Sequence, residues 1–142
     1  MGKIQEALSA VVVVLTLAVL AYGRSDQAPE KAAAKAAEAW LALVDSSDYG
    51  ASWDEAATIF KSRVDKEQWE KAARSVRGPL GKLRSRKLVS AKYTQQLPGA
   101  PDGEYVVNQY DASFENKASA VETVTPTLDK DGKWRVSGYY IR

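Results

Sequence analysis

The chain contains no cysteine and no histidine among its 142 residues. Without thiols there is no disulfide, no thiolate nucleophile and no Cys-based zinc or haem site. Without imidazole there is no Ser-His-Asp triad and no histidine general acid or base. A strong charge of one sign is also missing, because 20 Lys/Arg stand against 18 Asp/Glu for a formal net charge of +2. Any catalysis therefore falls to Asp, Glu, Lys, Arg, Tyr or Ser, and no cofactor or metal is expected. What remains is ordinary for one globular domain: 45% hydrophobic and 27% charged residues, with four Trp and seven Tyr.

The one long apolar run lies at the N-terminus, from Ala7 to Tyr22, interrupted only by Ser9 and Thr16. As a helix it would span about 24 Å, short of the ~30 Å hydrocarbon core. A short polar stretch with Lys3 precedes it, and Ala21 and Gly23 place small residues before a cut at Arg24. This is the order of a secretory signal, so residues 1–23 are expected to be a signal peptide or, alternatively, an uncleaved membrane anchor. A lipoprotein is excluded, because the lipid-bearing Cys is absent. Export to the periplasm follows, or anchorage to the inner membrane by residues 7–22.

Residues 24–29 read as a linker, with Pro29 placed to open a helix. Ala33, Ala37, Trp40, Leu41 and Val44 then fall on one helical stripe over about 30–44. Asp48, or the Ser52-x-x-Glu55 box, starts a second helix ending near 61, which turns Trp53, Ala56, Ala57 and Phe60 inward. Asp65 and Gln68 make a capping box for a third over about 66–77, with Trp69, Ala72, Ala73 and Val76 as its apolar face. After Gly78-Pro79 the period changes from 3.6 to 2, giving strands over about 84–97, 104–114, 118–128 and 133–142. Turn-rich segments separate them. Helices first and strands second indicate one α+β domain over residues 30–142, with three helices packed on a four-stranded antiparallel meander, cone-like in shape.

Several residue series are distinctive: Trp40, Asp48-Tyr49, Trp53, Phe60 and Trp69; then Arg77-x-Pro79-Leu80-Gly81; then Gln109-Tyr110-x-x-Ser113-Phe114; finally Trp134-Arg135-Val136-Ser137-Gly138-Tyr139-Tyr140. Together they resemble the bacterial domain-of-unknown-function family 4019 over roughly residues 28–142. The resemblance implies a small exported bacterial protein and carries no catalytic residues to transfer. More loosely, the element order is similar to nuclear transport factor 2-like and cystatin-like domains, a fold-level likeness that hosts enzymes and binders alike.

Two polar residues interrupt apolar strand faces. Asn108 shares a face with Val106, Tyr110, Ala112 and Phe114, and Glu122 sits among Ala118, Ala120, Val124 and Leu128. Both are expected to point beneath the helices. Either they line a pocket, with Glu122 as acid or base and Tyr93, Tyr110 or Tyr140 as donor, or Glu122 is structural and paired with an Arg such as Arg84 or Arg135. A bulge would invert such facing. No second carboxylate accompanies Glu122 at a glycosidase-like spacing.

Between Lys71 and Ala100 every charged residue is basic: Lys71, Arg74, Arg77, Lys82, Arg84, Arg86, Lys87 and Lys92. Arg84, Arg86 and Lys87 are candidates for binding anionic envelope polymers or lipids; a solvated face is the plainer alternative. Nucleic acid is not expected, because basic residues do not interleave with aromatics. Asp129-x-Asp131-Gly132 lacks the remaining ligands of a calcium loop and reads as a hairpin turn. The expectation is thus a non-enzymatic envelope module binding a small ligand or a protein. The alternatives are a small isomerase or hydrolase using Glu122, and an anionic-surface binder.

Overall fold

The computed structural model describes residues 28–142. The expected signal or anchor segment and most of the linker lie outside the described residues. No helix among the described residues is long and apolar enough to cross a membrane.

Helix α1 runs Ala28–Asp45 and takes in Ala28 and Pro29 from the expected linker, since a proline fits the first helical turn. Its stripe is buried as the spacing predicts: Ala33, Ala37, Trp40, Leu41 and Val44 are all at most 3% exposed. Ser47, at a φ of 62°, reverses the chain, and Asp48 then caps the next helix by accepting from the Ala51 N–H.

The expected single helix over 49–61 is instead two, α2 (Tyr49–Asp54) and α3 (Thr58–Arg63). The break has a tertiary cause. The Ala57 N–H donates to the Val136 carbonyl at 2.8 Å, so backbone that would continue the helix is taken by a strand edge. Helix α4 (Lys66–Arg77) carries the expected capping box, with both the Asp65 and Gln68 bonds formed. Its buried face is Trp69, Ala73 and Arg77; Ala72 and Val76 are exposed, contrary to the sequence pattern. A 3-10 turn, Gly78–Leu80, follows.

Strands β1 (Leu83–Thr94), β2 (Tyr105–Phe114), β3 (Lys117–Leu128) and β4 (Trp134–Ile141) form an antiparallel meander in the order β1-β2-β3-β4. The fold is therefore α+β as expected, with four helices instead of three. Strand β1 stops at Thr94, short of 97, because the Thr94 hydroxyl bonds to the Gln96 backbone and turns the chain.

Four register breaks shape the sheet, one of them between Ala112 and Phe114 of β2, where it meets Lys117 to Ala120 of β3. Arg84 and Val89 interrupt β1, and Ser137 is an extra residue in β4 opposite Thr125-Pro126. Pro126 has no N–H to donate to the ladder, and a bulge is the ordinary accommodation of proline in an interior strand. The main core gathers Trp40, Leu41, Val44, Phe60 and Trp69 from the helices with Tyr110, Val124 and Val136 from the sheet. At its centre Ser52 is fully buried. It accepts from the Trp69 indole and donates to the Tyr49 carbonyl, while its own carbonyl accepts from the Trp40 indole.

Candidate functional site

The covered face of the sheet is where sequence placed the polar anomalies. On β2 the alternation holds from Val106 onward, and Val106, Asn108, Tyr110, Ala112 and Phe114 are all buried; Tyr105, at the strand start, is buried as well. On β3, Ala120, Glu122 and Val124 are buried, whereas Ala118 lies beyond the covered end and is exposed. Tyr110 and Glu122 stand opposite each other in the register. Asn108, Glu122 and Tyr110 therefore share the covered face.

Glu122 is 0% exposed and its carboxylate is fully engaged. Arg86 donates to it through Nε at 2.7 Å and Nη2 at 3.2 Å, and the Tyr139 hydroxyl donates a further short bond. The same guanidinium reaches Asp45 through Nη1 at 2.7 Å and Nη2 at 2.9 Å. Arg77, itself almost wholly buried, donates to Asp45 at 2.9 Å and lies 4.8 Å over the Phe114 ring. Two guanidiniums thus balance two carboxylates between the end of α1, the end of α4 and the sheet. Burial opposes ionisation of Asp45, but the hydrogen bonds from Arg86 and Arg77 hold its carboxyl below the ordinary value. Burial and the Glu122 charge together raise the Tyr139 phenol.

Both oxygens of the Glu122 carboxylate are occupied, one by Arg86 and the other by Arg86 and Tyr139. The cluster's chemistry is that of a structural tie. Glu122 pairs with Arg86, whereas the sequence offered Arg84 or Arg135. Arg135 is held by Asp129 and Asp131 across the β3–β4 turn, at 3.0 Å and 2.8–2.9 Å, and its hydrogen bonds pull the Asp131 carboxyl down to about 2. The turn is a hairpin turn, as expected.

The remaining candidates separate. Tyr140 is not on the covered face; it is 61% exposed on the helix-free side, because the extra Ser137 inverts the facing after Val136. Tyr139 occupies the expected place instead. Tyr93 is half-exposed on β1, where it donates to Glu104 at 2.9 Å; that bond raises its pKa, and the Glu30 charge adds to the effect. Arg86 is withdrawn from the proposed anionic-surface set by its two carboxylates, while Arg84 and Lys87 are exposed. Sequence reasoning overlooked Asp45 as a partner. Its signal was present: an acid on the last residue of a helix faces the negative end of the macrodipole and calls for a cation.

Asn108 and the Tyr110 hydroxyl are buried without a hydrogen-bond partner among the described residues. Burial chiefly, with the Glu38 charge, pushes the Tyr110 phenol up to about 12. A phenol whose folded pKa exceeds its unfolded value of 10 contributes stability that is complete below pH 10 and is lost as pH rises through 12. We expect chain unfolding midpoints to fall across pH 10–12, and the Tyr110→Phe variant to be spared about 2–3 kcal/mol of that loss. A Y110F pH–stability curve that parallels wild type would contradict this assignment.

The larger concave surfaces lie away from this cluster. One cleft of about 900 Å³ is framed by the α2–α3 corner, the Pro101-Asp102-Gly103 loop and the β3–β4 turn. Ala56, Ile59, Tyr105 and Leu128 supply apolar wall, and Glu55, Asp102 and Lys61 stand among its charged residues. Neither Asn108 nor Glu122 lines it.

The family model described as "Protein of unknown function (DUF4019)" matches residues 36–139, and the chain belongs to that family. No curated protein matches the chain.

Proposed function

We propose that this member of the DUF4019 family is an exported, non-enzymatic binding module of the cell envelope, taking an amphipathic ligand or a protein segment in the cleft beside the α2–α3 corner. The observation that carries this is the cleft itself. Its volume of about 900 Å³ falls within the range of small-molecule sites, and it joins apolar wall to a charged rim. The alternative built on Glu122 loses its support, since that carboxylate is spent on Arg86 and Tyr139. The order of polar, apolar and small-residue regions over residues 1–23 supports export.

The test is a thermal-shift and native mass-spectrometry screen of amphiphiles and peptides against the purified protein, repeated on Ile59→Glu. Ile59 is half-buried in the cleft wall, so this change places a charge where the ligand's apolar part would rest. A ligand that stabilises wild type is expected to lose about tenfold or more in affinity for I59E. No binder in the screen, or binders indifferent to I59E, would remove the cleft as the site.

A further inference from the structure

Strand β1 is an edge strand, hydrogen-bonded in the sheet to β2 alone. The local basic excess concentrates on it and on the residue before it. Of the basic residues between 71 and 92, Lys71 pairs with Glu67, Arg74 lies over the Tyr49 ring, and Arg77 and Arg86 are buried in the carboxylate cluster. That leaves Lys82, Arg84, Lys87 and Lys92 exposed and without an ion pair among the described residues. Asp111 stands opposite Lys87 in the register, yet no ion pair joins them.

Apolar exposure coincides with this charge. Leu88, Val89 and Tyr93 are 37–48% exposed on the same strand, and Tyr140 is exposed on the helix-free face. Lysines alternating with exposed aliphatic and tyrosine side chains suit the boundary between headgroups and acyl chains. The two bulges, at Arg84 and Val89, break the ladder along this edge and disfavour a pairing strand as its occupant.

Chain length adds a second argument, resting on the export reading above. The apolar run ends at Tyr22, and residues 23–27 bridge at most about 18 Å to the start of α1. α1 runs antiparallel to β1, with Asp45 meeting Arg86 at one end and Ala36 and Trp40 lying by Val136, toward the Tyr93 end of the sheet. While the apolar run occupies the bilayer, during export or as a retained anchor, the Lys92 end of β1 is held near the membrane surface.

We infer that the exposed basic edge strand β1, through Arg84, Lys87 and Lys92 with Val89 and Tyr93, docks the domain on an anionic lipid surface. Sequence-independent attraction to lipid headgroups accounts for basic residues left unpaired beside apolar ones on a single edge.

Because the chain has no cysteine, Ser90→Cys provides one labelling point on β1. The full-length chain, labelled there, is reconstituted into phosphatidylcholine vesicles with or without roughly one third phosphatidylglycerol. Energy transfer to a headgroup dye reports how close β1 lies. We expect transfer to rise on anionic vesicles and to fall in about 0.5 M salt. In R84Q/K87Q/K92Q the apparent surface affinity is expected to drop ~10-fold or more. The milder K87Q/K92Q pair, which leaves the bulge at Arg84 untouched, should lose part of it, and K133Q, at the exposed β3–β4 turn, none.

Equal transfer on both vesicles, or a triple variant that behaves as wild type, overturns the proposal. So does preferential capture by a soluble anionic polysaccharide. Carbonate-resistant insertion of the N-terminal segment is scored separately: its failure counts against the export reading, and loss of anionic preference counts against lipid docking.

Discussion

Replacing Arg86 with methionine is expected to cost about 3–5 kcal/mol of folding stability. The side chain is only 13% exposed and holds Glu122 and Asp45 at once. Methionine keeps much of the volume but leaves two carboxylates with Arg77 as their nearest remaining guanidinium. Glu122, at 0% exposure, has no water to turn to. The measurement is urea unfolding of R86M, E122L and the double variant.

The double variant is the sharper part of that experiment. R86M/E122L retains the Arg77–Asp45 pair and removes both members of the deeper one, so its cost is expected to fall well below the sum of the singles. Acid pH supplies an independent check. Asp45 has a folded pKa below its ordinary 3.8, so its stabilising contribution is complete above that value and is lost as pH falls through the folded pKa. In R86M the stranded carboxylates gain by protonation, and the deficit relative to wild type should narrow as pH falls. A cost under about 1 kcal/mol for R86M, or strict additivity in the cycle, would show that the four charges are not coupled.

Trp40→Ala is expected to cost about 3–5 kcal/mol. The ring is 3% exposed and packs at 5.7 Å from Trp69 and 5.4 Å from Tyr139, measured between centroids. Truncation opens a cavity between α1, α4 and β4 and deprives the Ser52 carbonyl of its indole donor. It also loosens the wall against which Tyr139 reaches Glu122. The milder W40F keeps an aromatic ring and loses the donor, for about 1–2 kcal/mol. Thermal unfolding followed by the remaining tryptophans reads both. A W40A midpoint close to wild type would mean that the α1–sheet contact contributes little to stability.

These two expectations meet at Tyr139, the residue that separates what was legible from what was not. The α1 stripe, the Asp65–Gln68 box and the alternation along β2 were readable because each depends on residues three, four or two positions apart. Asn108 and Glu122 were placed on the covered face for the same reason. Tyr140 was placed there wrongly, since one extra residue at Ser137 exchanges it with Tyr139. Pro126 was the visible warning, an interior-strand residue with no ladder donor, but it does not say on which strand the extra residue falls.

Residue order alone carries the α+β class, most of the elements and most of their buried faces, together with the chemistries excluded by having no cysteine or histidine. It also determined that a carboxylate would lie under the helices. Tertiary contact ties this carboxylate to Arg86 and Tyr139, residues 36 and 17 positions distant. It likewise split one helix in two by giving the Ala57 N–H to β4, and it sorted the basic stretch into buried braces and exposed edge. The difference is one of range. Periodicity and capping are set by near neighbours along the chain, whereas charge pairing and bulge position depend on which distant backbones meet.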